Sequence, residues 1–293
     1  MKASIVIRTY NEAKHLPKLL SKIHSQVASD FSWEVVLVDS GSQDGTLKIA
    51  ADFGCKITHI NKENFSFGRS LNIGCESASG DILVFVSGHC IPVDNFWLSN
   101  LLAPIAAGKV GLTYGRQIGD QLSRFSEQRV FAKYFPDLSK IPQEGFFCNN
   151  ANSAVLAKVW QANPFDEELT GLEDMHLAKR LLNQGIKLGY VAESCVYHLH
   201  NETWRQVKKR FERESIALQH IMPEIHINFT DVIRYLSSAL AHDFRHAIKD
   251  RVLIKNFLDI LSYRSAQYLG SYVGNNSHKK LSRKRKESYF YPR

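Results

Sequence analysis

Polar side chains directly follow two apolar runs near the N-terminus, at residues 9–12 and at Asp39. A carboxylate that ends a parallel strand can bind ribose hydroxyls, as it does in dinucleotide-binding folds. Neighbouring hydroxyl and amide groups could hold the base of the same nucleotide. A structural role is an equal alternative, in which Asn11 caps a helix and Asp39 caps its own loop. The loop after Asp39 lacks the Gly-Lys-Ser/Thr element of a P-loop.

Glu173 and Asp174 form a second group, an acidic pair at the start of a helix predicted over residues 172–183. Acids in a first turn interact favourably with the helix dipole, which is a sufficient structural reason for them. In the catalytic alternative, one carboxylate is a general base that takes the proton of an incoming hydroxyl. Adjacent helix positions point in different directions, so we expect only one of the two to face a pocket.

Three histidines form the third group. His198 and His200 are two apart on an extended segment and therefore share a face, while His89 follows a strand predicted at residues 81–86. Imidazole nitrogens bind transition metals, so these residues are candidate ligands. The chain has 12 histidines, however, and chance pairs of packed or exposed histidines are the simpler explanation.

Alternating strands and helices must position these groups. Four strands are predicted early in the chain, at residues 3–7, 34–39, 56–60 and 81–86. Helical spacing of apolar residues between them predicts βαβ units, a mainly parallel α/β sheet and a site at the carboxyl ends of the strands. Further elements are strands at 110–114 and 186–192, a helix at 122–135 and a polar, turn-forming segment at 146–154.

The C-terminal part of the chain has a different pattern. From residue 203 to about residue 270 the apolar spacing is helical, which places a domain boundary near residue 202. We therefore expect a domain at 1–202, a helical extension at 203–275 and a basic, flexible tail at 276–293. The tail holds seven Lys and Arg residues against Glu287, which suits an anionic membrane surface or simply a solvated end. No recognised nucleic-acid module occurs, so no nucleic-acid partner is expected.

The composition is that of an ordinary globular protein. Hydrophobic residues make up 44% of the 293 residues and charged residues 23%, with a net charge of +8. Five scattered cysteines argue against a disulfide framework and favour a reducing compartment. The N-terminus enters a strand without a signal region, and no apolar run reaches about 18 residues. We expect a cytoplasmic protein whose contact with the inner membrane is peripheral if it has one.

Several sequence blocks together resemble the family two glycosyltransferases of GT-A fold. In chain order these blocks are residues 4–12, 36–46, 68–74, 114–117, 149–154, 164–169, 172–180 and 196–198. The blocks Tyr-Gly-Arg-Gln and Asn-Ala-Asn-Ser are most similar to bacterial rhamnosyltransferase-like members. The resemblance implies a Rossmann-like α/β fold, with a mainly parallel sheet flanked by helices and a helical C-terminal extension.

The resemblance also implies a role for each set of polar residues. Asp174, with Glu173 beside it, matches the catalytic base of an inverting transferase. It would deprotonate an acceptor hydroxyl as that oxygen attacks the anomeric carbon, opposite a leaving diphosphate whose charge the site must stabilise. The residues implied to bind the nucleotide are Thr9, Tyr10, Asn11, Glu12, Asp39, Ser42, Arg69 and Ser87. Those implied to bind the acceptor are Arg116, Asn150, Asn152, Gly171 and Leu172.

The chain departs from the family pattern where the strand at 81–86 ends. The two aspartates of the family's Asp-x-Asp metal motif fall on Ser87 and His89. Serine is a poor ligand, and the imidazole nitrogen suits Mn²⁺ moderately and Mg²⁺ poorly. Two alternatives stay open. Either Mn²⁺ or Mg²⁺ binds through His89, His198 and the diphosphate, or no metal binds and Arg69, His89 or another cation stabilises the leaving group.

The implied function is hexosyl or deoxyhexosyl transfer from a UDP- or dTDP-linked sugar to a glycan or lipid-linked acceptor of a bacterial surface polysaccharide. A homodimer is compatible with this function. The competing hypothesis is a catalytically silent GT-A relative that binds nucleotide or glycan as an assembly partner. The missing aspartates favour the silent relative, whereas Glu173, Asp174 and the nucleoside-site residues favour the enzyme. A nucleotidyltransferase would need a Gly-rich N-terminal loop with Arg or Lys, which is missing.

Overall fold

A computed structural model describes residues 1–277 and 283–291. The polypeptide divides into two compact units. The first consists of Met1–Asp120, Phe135–Glu168 and Glu173–Leu199. The second consists of Gln121–Tyr134, Leu169–Leu172 and the described part of His200–Arg293. The division differs from the predicted boundary near residue 202 because two short segments from the earlier part of the chain join the C-terminal helices.

An eight-stranded mixed sheet forms the centre of the first unit. Its strands are β1 (Lys2–Thr9), β2 (Ser32–Asp39), β3 (Lys56–His59), β4 (Ile82–Ser87), β5 (Cys90–Pro92), β6 (Leu112–Ile118), β7 (Asn152–Leu156) and β8 (Leu188–His198). Their order across the sheet is β3-β2-β1-β4-β7-β6-β8-β5. The first four strands pair in parallel, so their carboxyl ends meet at one edge of the sheet.

The helices are α1 (Leu16–His24), α2 (Thr46–Asp52), α3 (Phe67–Glu76), α4 (Trp97–Ala106), α5 (Phe125–Tyr134), α6 (Ala157–Ala162), α7 (Glu173–Asn183), α8 (Trp204–Ile221), α9 (Phe229–Lys249), α10 (Leu253–Asn275) and α11 (Arg283–Phe290). In the first unit, α1 and α4 bury apolar faces against the sheet. Ile5 and Val84 of the sheet, Leu20 of α1 and Trp97 of α4 are fully buried in the same hydrophobic core. The α/β fold with a helical C-terminal part is confirmed.

The prediction of a turn-forming segment over residues 146–154 is wrong at its C-terminal end. Residues Asn152–Leu156 form β7, which pairs antiparallel with both β4 and β6 near the middle of the sheet. The polar residues misled the prediction, because Asn152 is buried with its amide satisfied. Trp97 Nε1 donates to its Oδ1 at 2.8 Å, and its Nδ2 donates to the Ser194 carbonyl at 2.8 Å.

A buried ion pair joins three helices of the second unit. The Arg264 guanidinium on α10 donates from Nε and Nη2 to the two carboxylate oxygens of Asp243 on α9, at 2.7 and 2.8 Å. The Ser126 hydroxyl on α5 donates to the same carboxylate at 2.6 Å. These contacts explain why α5 belongs with the C-terminal helices. Within the described residues, no helix combines the length and the apolarity needed to cross a membrane.

The predicted flexible tail is partly a helix. Residues 278–282 and 292–293 lie outside the described residues, and α11 occupies most of the remainder. Arg285 Nη2 on α11 lies 3.0 Å from Glu212 Oε1 on α8, and the buried Tyr289 donates its hydroxyl to the same oxygen at 2.6 Å. The aromatic residues among the basic ones provide the burial that the charge pattern did not suggest.

Candidate active site

The ends of β1 and β2 place Thr9 beside Asp39, as the strand pattern predicted. The two residues are register partners, and Thr9 Oγ1 donates to Asp39 Oδ1 at 3.1 Å. The loop after β2 then folds back on the same carboxylate. Ser42 Oγ donates to Oδ1 at 2.5 Å, and the amides of Gly41 and Ser42 donate to Oδ2 at 2.8 and 2.9 Å.

Asp39 therefore organises its own loop. A carboxylate offers about four acceptor positions, and the four bonds from Thr9, Gly41 and Ser42 use them all, while the side chain is fully buried. Asn11 adopts a left-handed backbone with φ of 57° and ties the adjacent turn to this loop. Its amide donates to Ser42 Oγ at 2.8 Å, and its side chain accepts from the Gln43 amide at 2.9 Å. This geometry favours the structural alternative for Asp39.

Tyr10 and Arg69 both pair with other residues in the structure. Lys62 Nζ donates to the Tyr10 hydroxyl at 2.7 Å and lies 4.3 Å from the centre of the Tyr10 ring. Arg69 Nε donates to Glu167 Oε2 at 2.7 Å. Both side chains of this second pair are about one-third exposed, so the Arg69 guanidinium is held in place yet reachable from solvent.

Asp174 lies in the first turn of α7 in a buried, polar setting. Its Oδ2 accepts from the Asn150 amide at 2.8 Å, and its Oδ1 accepts from the Met175 amide at 2.7 Å. Burial and the neighbouring charge of Glu173 nevertheless raise the pKa of Asp174 to about 7. A carboxyl group with a pKa close to the operating pH is suited to general base catalysis.

Glu173 faces a half-buried cation that the sequence analysis did not single out. Arg8 Nη1, at the end of β1, lies 3.5 Å from Glu173 Oε1 and donates to the Phe67 carbonyl at 3.3 Å. The Arg8 guanidinium also lies 4.8 Å from the centre of the Phe67 ring. Burial lowers the pKa of Arg8, while Glu173 and Asp174 raise it again. Of the two predicted acids, Glu173 is thus the one paired with a cation, and Asp174 is held by amides.

Two buried donors near the ends of β6 and β7 have no hydrogen-bond partner among the described residues. They are Nδ2 of Asn150, whose backbone amide holds Asp174, and Nε of Arg116. Buried donors rarely lack a hydrogen-bond partner, so we expect a water molecule or a ligand to accept a hydrogen bond from each of these two atoms. Binding of the acceptor by Asn150 and Arg116 stays a prediction.

The other residues implied to bind the acceptor have different surroundings. Asn152 is fully buried, and its side-chain amide donates to the carbonyls of Arg116 and Ser194, so we assign it a structural role. Gly171 and Leu172 belong to the second unit, where Gly171 packs against Arg213 and Leu172 has a left-handed φ of 55°.

His89 and His198 face each other across the ends of β4 and β8. Their Nε2 atoms are 3.2 Å apart, and their rings are stacked with centroids 5.1 Å apart. His89 Nδ1 lies 3.1 Å from Glu12 Oε1. Gly88 lets Glu12 pack closely against the turn that carries His89, since a Cβ there would lie 2.9 Å from Glu12 Cγ. Ser87 is the register partner of Arg8, immediately before this turn.

Hydrogen-bond polarity fixes the tautomers of both rings. The Ala151 amide can only donate, so the Asn149 side-chain atom it contacts at 3.0 Å is an oxygen. Gln117 Nε2 donates to that oxygen at 3.0 Å, which leaves Gln117 Oε1 to accept from His198 Nδ1 at 2.7 Å. An ionised Glu12 likewise only accepts. Both histidines therefore carry their proton on Nδ1 when neutral and direct an Nε2 lone pair toward the other ring.

This arrangement fits a divalent metal ion. Ligand nitrogens about 2.1 Å from one ion come roughly 3 Å apart in common geometries, and the observed Nε2 separation is 3.2 Å. Metal-binding histidines usually donate the other ring proton to a carboxylate or a carbonyl, as both do here. His200 is not needed for this pair, since it belongs to the second unit, where its Nδ1 lies 2.7 Å from Glu127 Oε1.

Sequence reasoning missed Arg8, Lys62 and Gln117. Arg8 carried a usable signal, because a charged residue stands at the end of a buried apolar strand. Gln117 lies in one of the blocks that carry the family resemblance, but its hydrogen bond to His198 joins residues far apart in the chain. No local pattern could have paired Lys62 with Tyr10, which lies 52 positions away.

Comparisons with known proteins identify relatives of this chain in sequence and in fold. The sequence model of glycosyl transferase family 2 matches residues 4–160 of the chain. The O-antigen chain rhamnosyltransferase RfbN of Salmonella typhimurium is 26% identical over 224 residues, which cover 72% of this chain and 70% of that protein.

Two solved structures share the fold. The mannosyltransferase PcManGT of Pyrobaculum calidifontis, solved with GDP-Man and Mn²⁺, superposes with a TM-score of 0.65 at 15% identity, over 94% of this chain and 88% of that one. TarS 1-349 of Staphylococcus aureus, solved with UDP-GlcNAc, gives a TM-score of 0.53 at 16% identity, over 99% and 92% of the two chains. At these identities the likeness establishes a common GT-A fold.

Proposed function

The chain belongs to glycosyl transferase family 2, and we propose that it is an inverting enzyme acting on a bacterial surface-glycan or lipid-linked acceptor. It transfers a sugar from a nucleotide-diphosphate sugar to a hydroxyl group of that acceptor. The observation that carries the proposal is Asp174, a buried carboxylate held by two amides, with its pKa raised to about 7 by burial and Glu173.

Asp174 acts as the general base in this proposal. It accepts the proton of the acceptor hydroxyl while the hydroxyl oxygen forms a bond to the anomeric carbon of the donor. The bond between that carbon and the diphosphate oxygen breaks, and the nucleoside diphosphate leaves with the bonding pair. Attack from the face opposite the leaving group inverts the anomeric configuration. Asn150 Nδ2, a buried donor beside the base, is suited to hold an oxygen of the acceptor sugar.

The nucleoside end of the donor is proposed to lie against the ends of β1 and β2. Tyr10 offers an aromatic ring there, with Lys62 close to it, and Asn11 and Ser42 shape the loop that Asp39 holds. Glu12, Ser87 and Arg69 complete the proposed nucleotide set. The solvent-accessible Arg69 and Lys62 are cations suited to the diphosphate.

We propose that His89 and His198 hold a divalent cation, with Glu12 and Gln117 fixing their tautomers. Such an ion would supply Lewis-acid stabilisation of the charge that develops on the leaving diphosphate. Two nitrogen ligands favour Mn²⁺ over Mg²⁺, which prefers oxygen and retains its water. A mannosyltransferase with this fold was solved with Mn²⁺, which supports the choice.

The donor is proposed to be a UDP- or dTDP-linked sugar. TarS, which shares the fold, was solved with UDP-GlcNAc. The similarity to an O-antigen rhamnosyltransferase supports a deoxyhexose donor and a polysaccharide acceptor. We propose a cytoplasmic location, in keeping with the five free cysteines of the chain.

Substitution of Asp174 by asparagine tests the assignment. Donor binding is measured by thermal shift with UDP-, dTDP- and GDP-sugars, and turnover by release of the nucleoside diphosphate in the presence of candidate acceptors. Asp174→Asn should bind the donor as the wild type does and lose about 10²–10⁴-fold in turnover. The matched control is Asp52→Asn, which changes an exposed carboxylate of α2.

Each outcome has a distinct meaning. Unchanged turnover in Asp174→Asn would remove Asp174 as the base. A wild-type protein that binds a nucleotide sugar but turns over none of the donor and acceptor pairs would instead support the silent assembly partner, which the missing Asp-x-Asp acids at Ser87 and His89 favour.

A further inference from the structure

Large apolar side chains lie exposed where α9 meets α10. Ile248, in the last turn of α9, is 61% exposed, and Ile254 and Leu258 in the first turns of α10 are 97% and 74% exposed. Phe257 is 44% exposed beside them. Residues 254, 257 and 258 have the i, i+3, i+4 spacing of one helix face. We name residues 245–258 the hairpin tip.

The hairpin tip is a well-defined structure. Arg251 takes a left-handed φ of 57° in the turn, and the Val252 amide donates to the Ala247 carbonyl at 2.8 Å. The rings of Phe244 and Phe257 stack at 5.2 Å between centroids. The exposed aliphatic groups are therefore held in place by the turn and this stack.

Cations alternate with these apolar residues along the hairpin tip. Arg245, Lys249, Arg251 and Lys255 are all exposed, and none of them forms an ion pair among the described residues. The nearby acids, in contrast, are neutralised. Asp250 Oδ2 lies 3.7 Å from Arg129 Nη2, and Asp259 Oδ1 lies 2.7 Å from Arg124 Nη1. The hairpin tip consequently combines exposed aliphatic groups with exposed cations that have no acidic partner among the described residues.

We propose that the hairpin tip docks the protein onto an anionic lipid bilayer, with its aliphatic side chains among the acyl chains and its cations at the headgroups. Protein–protein interfaces are depleted in lysine and enriched in aromatic residues at their cores. Helices that lie in a bilayer interface combine leucine, isoleucine or phenylalanine with a rim of lysine and arginine, which is the composition of the hairpin tip. Long cationic side chains can reach the headgroups while the apolar ones insert.

This proposal replaces the basic tail by the hairpin tip as the main membrane contact. It is independent of the transfer reaction, because it involves none of the residues assigned to the active site. A failure of one proposal therefore leaves the other intact.

The test measures co-sedimentation of the full chain with vesicles of phosphatidylcholine alone and with added phosphatidylglycerol. We expect binding to the anionic vesicles, weakened by salt. Each lysine near an anionic surface contributes about fivefold to binding, so Lys249→Gln with Lys255→Gln should weaken it about 25-fold. Ile254→Ser with Leu258→Ser should weaken it by about tenfold or more, since inserted aliphatic groups are lost.

Matched variants control for charge and hydrophobicity. Lys109→Gln with Lys187→Gln removes two exposed lysines of the first unit, and Leu138→Ser removes an aliphatic side chain that is 71% exposed. Both should bind vesicles as the wild type does. All variants should keep the wild-type circular dichroism and unfolding temperature, because only exposed side chains change.

Several results would overturn the proposal. One is the absence of binding to anionic vesicles. Another is wild-type binding by the hairpin-tip variants together with its loss in Lys279→Gln with Lys280→Gln, which would return the contact to the tail. A third is a change in oligomeric state of the Ile254→Ser, Leu258→Ser variant in sedimentation velocity without vesicles, which would identify the hairpin tip as an interface between copies of this chain.

Discussion

Replacing Glu173 by glutamine should move the acidic limb of the pH–rate profile to lower pH. The proposed general base Asp174 has a pKa raised to about 7, first by burial and then by the charge of Glu173. Below that pKa the base is protonated, so turnover should rise with pH and level off above about 7. Removing the negative charge of Glu173 makes ionisation of Asp174 easier, which lowers its pKa.

The size of the shift follows from the charges at the site. Carboxylates on adjacent helix residues are roughly 6 Å apart, and at an effective dielectric constant of about 20 they repel by about 2.8 kcal/mol, or ~2 pKa units. Arg8 attracts Asp174 in both the wild type and the variant, so it does not change this difference. We expect at least half of the full effect, a shift of about one unit or more. At pH 6 the ionised fraction of Asp174 would rise from about one-tenth to about one-half.

The assay is the pH dependence of kcat/KM for nucleoside diphosphate release, with donor saturation checked at each pH. For each protein, the value of kcat/KM at pH 6 is divided by its own plateau value at high pH. This ratio should be about fivefold larger for Glu173→Gln than for the wild type. Glu76→Gln, which removes an exposed carboxylate of α3, should leave the profile unchanged. An acidic limb that stays in place in Glu173→Gln, or moves to higher pH, would refute the electrostatic reasoning.

Three further predictions concern the supports of the site and of the helical unit. Gln117→Leu removes the acceptor of the His198 Nδ1 proton and should weaken Mn²⁺ binding about 10–100-fold by calorimetry; an unchanged affinity would contradict a metal held by this ring. Asp39→Asn turns an amide group toward backbone donors and should lower the free energy of unfolding by about 2 kcal/mol in urea, whereas a loss of nucleotide binding at full stability would favour a direct ligand role. Arg264→Met leaves Asp243 buried and unpaired and should cost about 3–5 kcal/mol, and the double variant with Asp243→Leu should recover most of that loss.

Much of the fold was predictable because its strands carry a strong local signal. The runs that became β1, β2 and β4 are continuous and apolar, and parallel strands buried on both faces read in this way. The strand β7 was not predictable by this reasoning. Its first residues are Asn152 and Ser153, and the partners that make a buried asparagine acceptable there, among them the indole of Trp97 55 positions away, are distant in the chain.

The positions of the candidate site residues were more predictable than their roles. The ends of β1 and β2 place Thr9 beside Asp39, as predicted. At the start of α7, Glu173 faces Arg8 while backbone amides donate to Asp174, in keeping with the different directions of adjacent helix residues. The saturation of Asp39 by its own loop could not be read from the sequence, since Gly41 and Ser42 are equally suited to an open turn. Likewise, the choice between two nitrogens on His198 depends on a chain of hydrogen bonds that begins at the Ala151 amide.

The sequence resemblance puts Ser87 and His89 at the positions of the family's two metal-binding acids, which would change the charge of the proposed site. In the Asp-x-Asp pattern two carboxylates lie near the leaving diphosphate, and a metal ion must first overcome their repulsion of the phosphates. Here those positions carry a hydroxyl and an imidazole, while the charge of Glu173 is offset by Arg8. The site is therefore less negative before any metal binds, and Coulomb repulsion against a diphosphate is reduced. It follows that nucleoside diphosphate binding should depend less on Mn²⁺ in this chain than in a transferase that retains both aspartates, even though His89 and His198 are arranged to hold the ion.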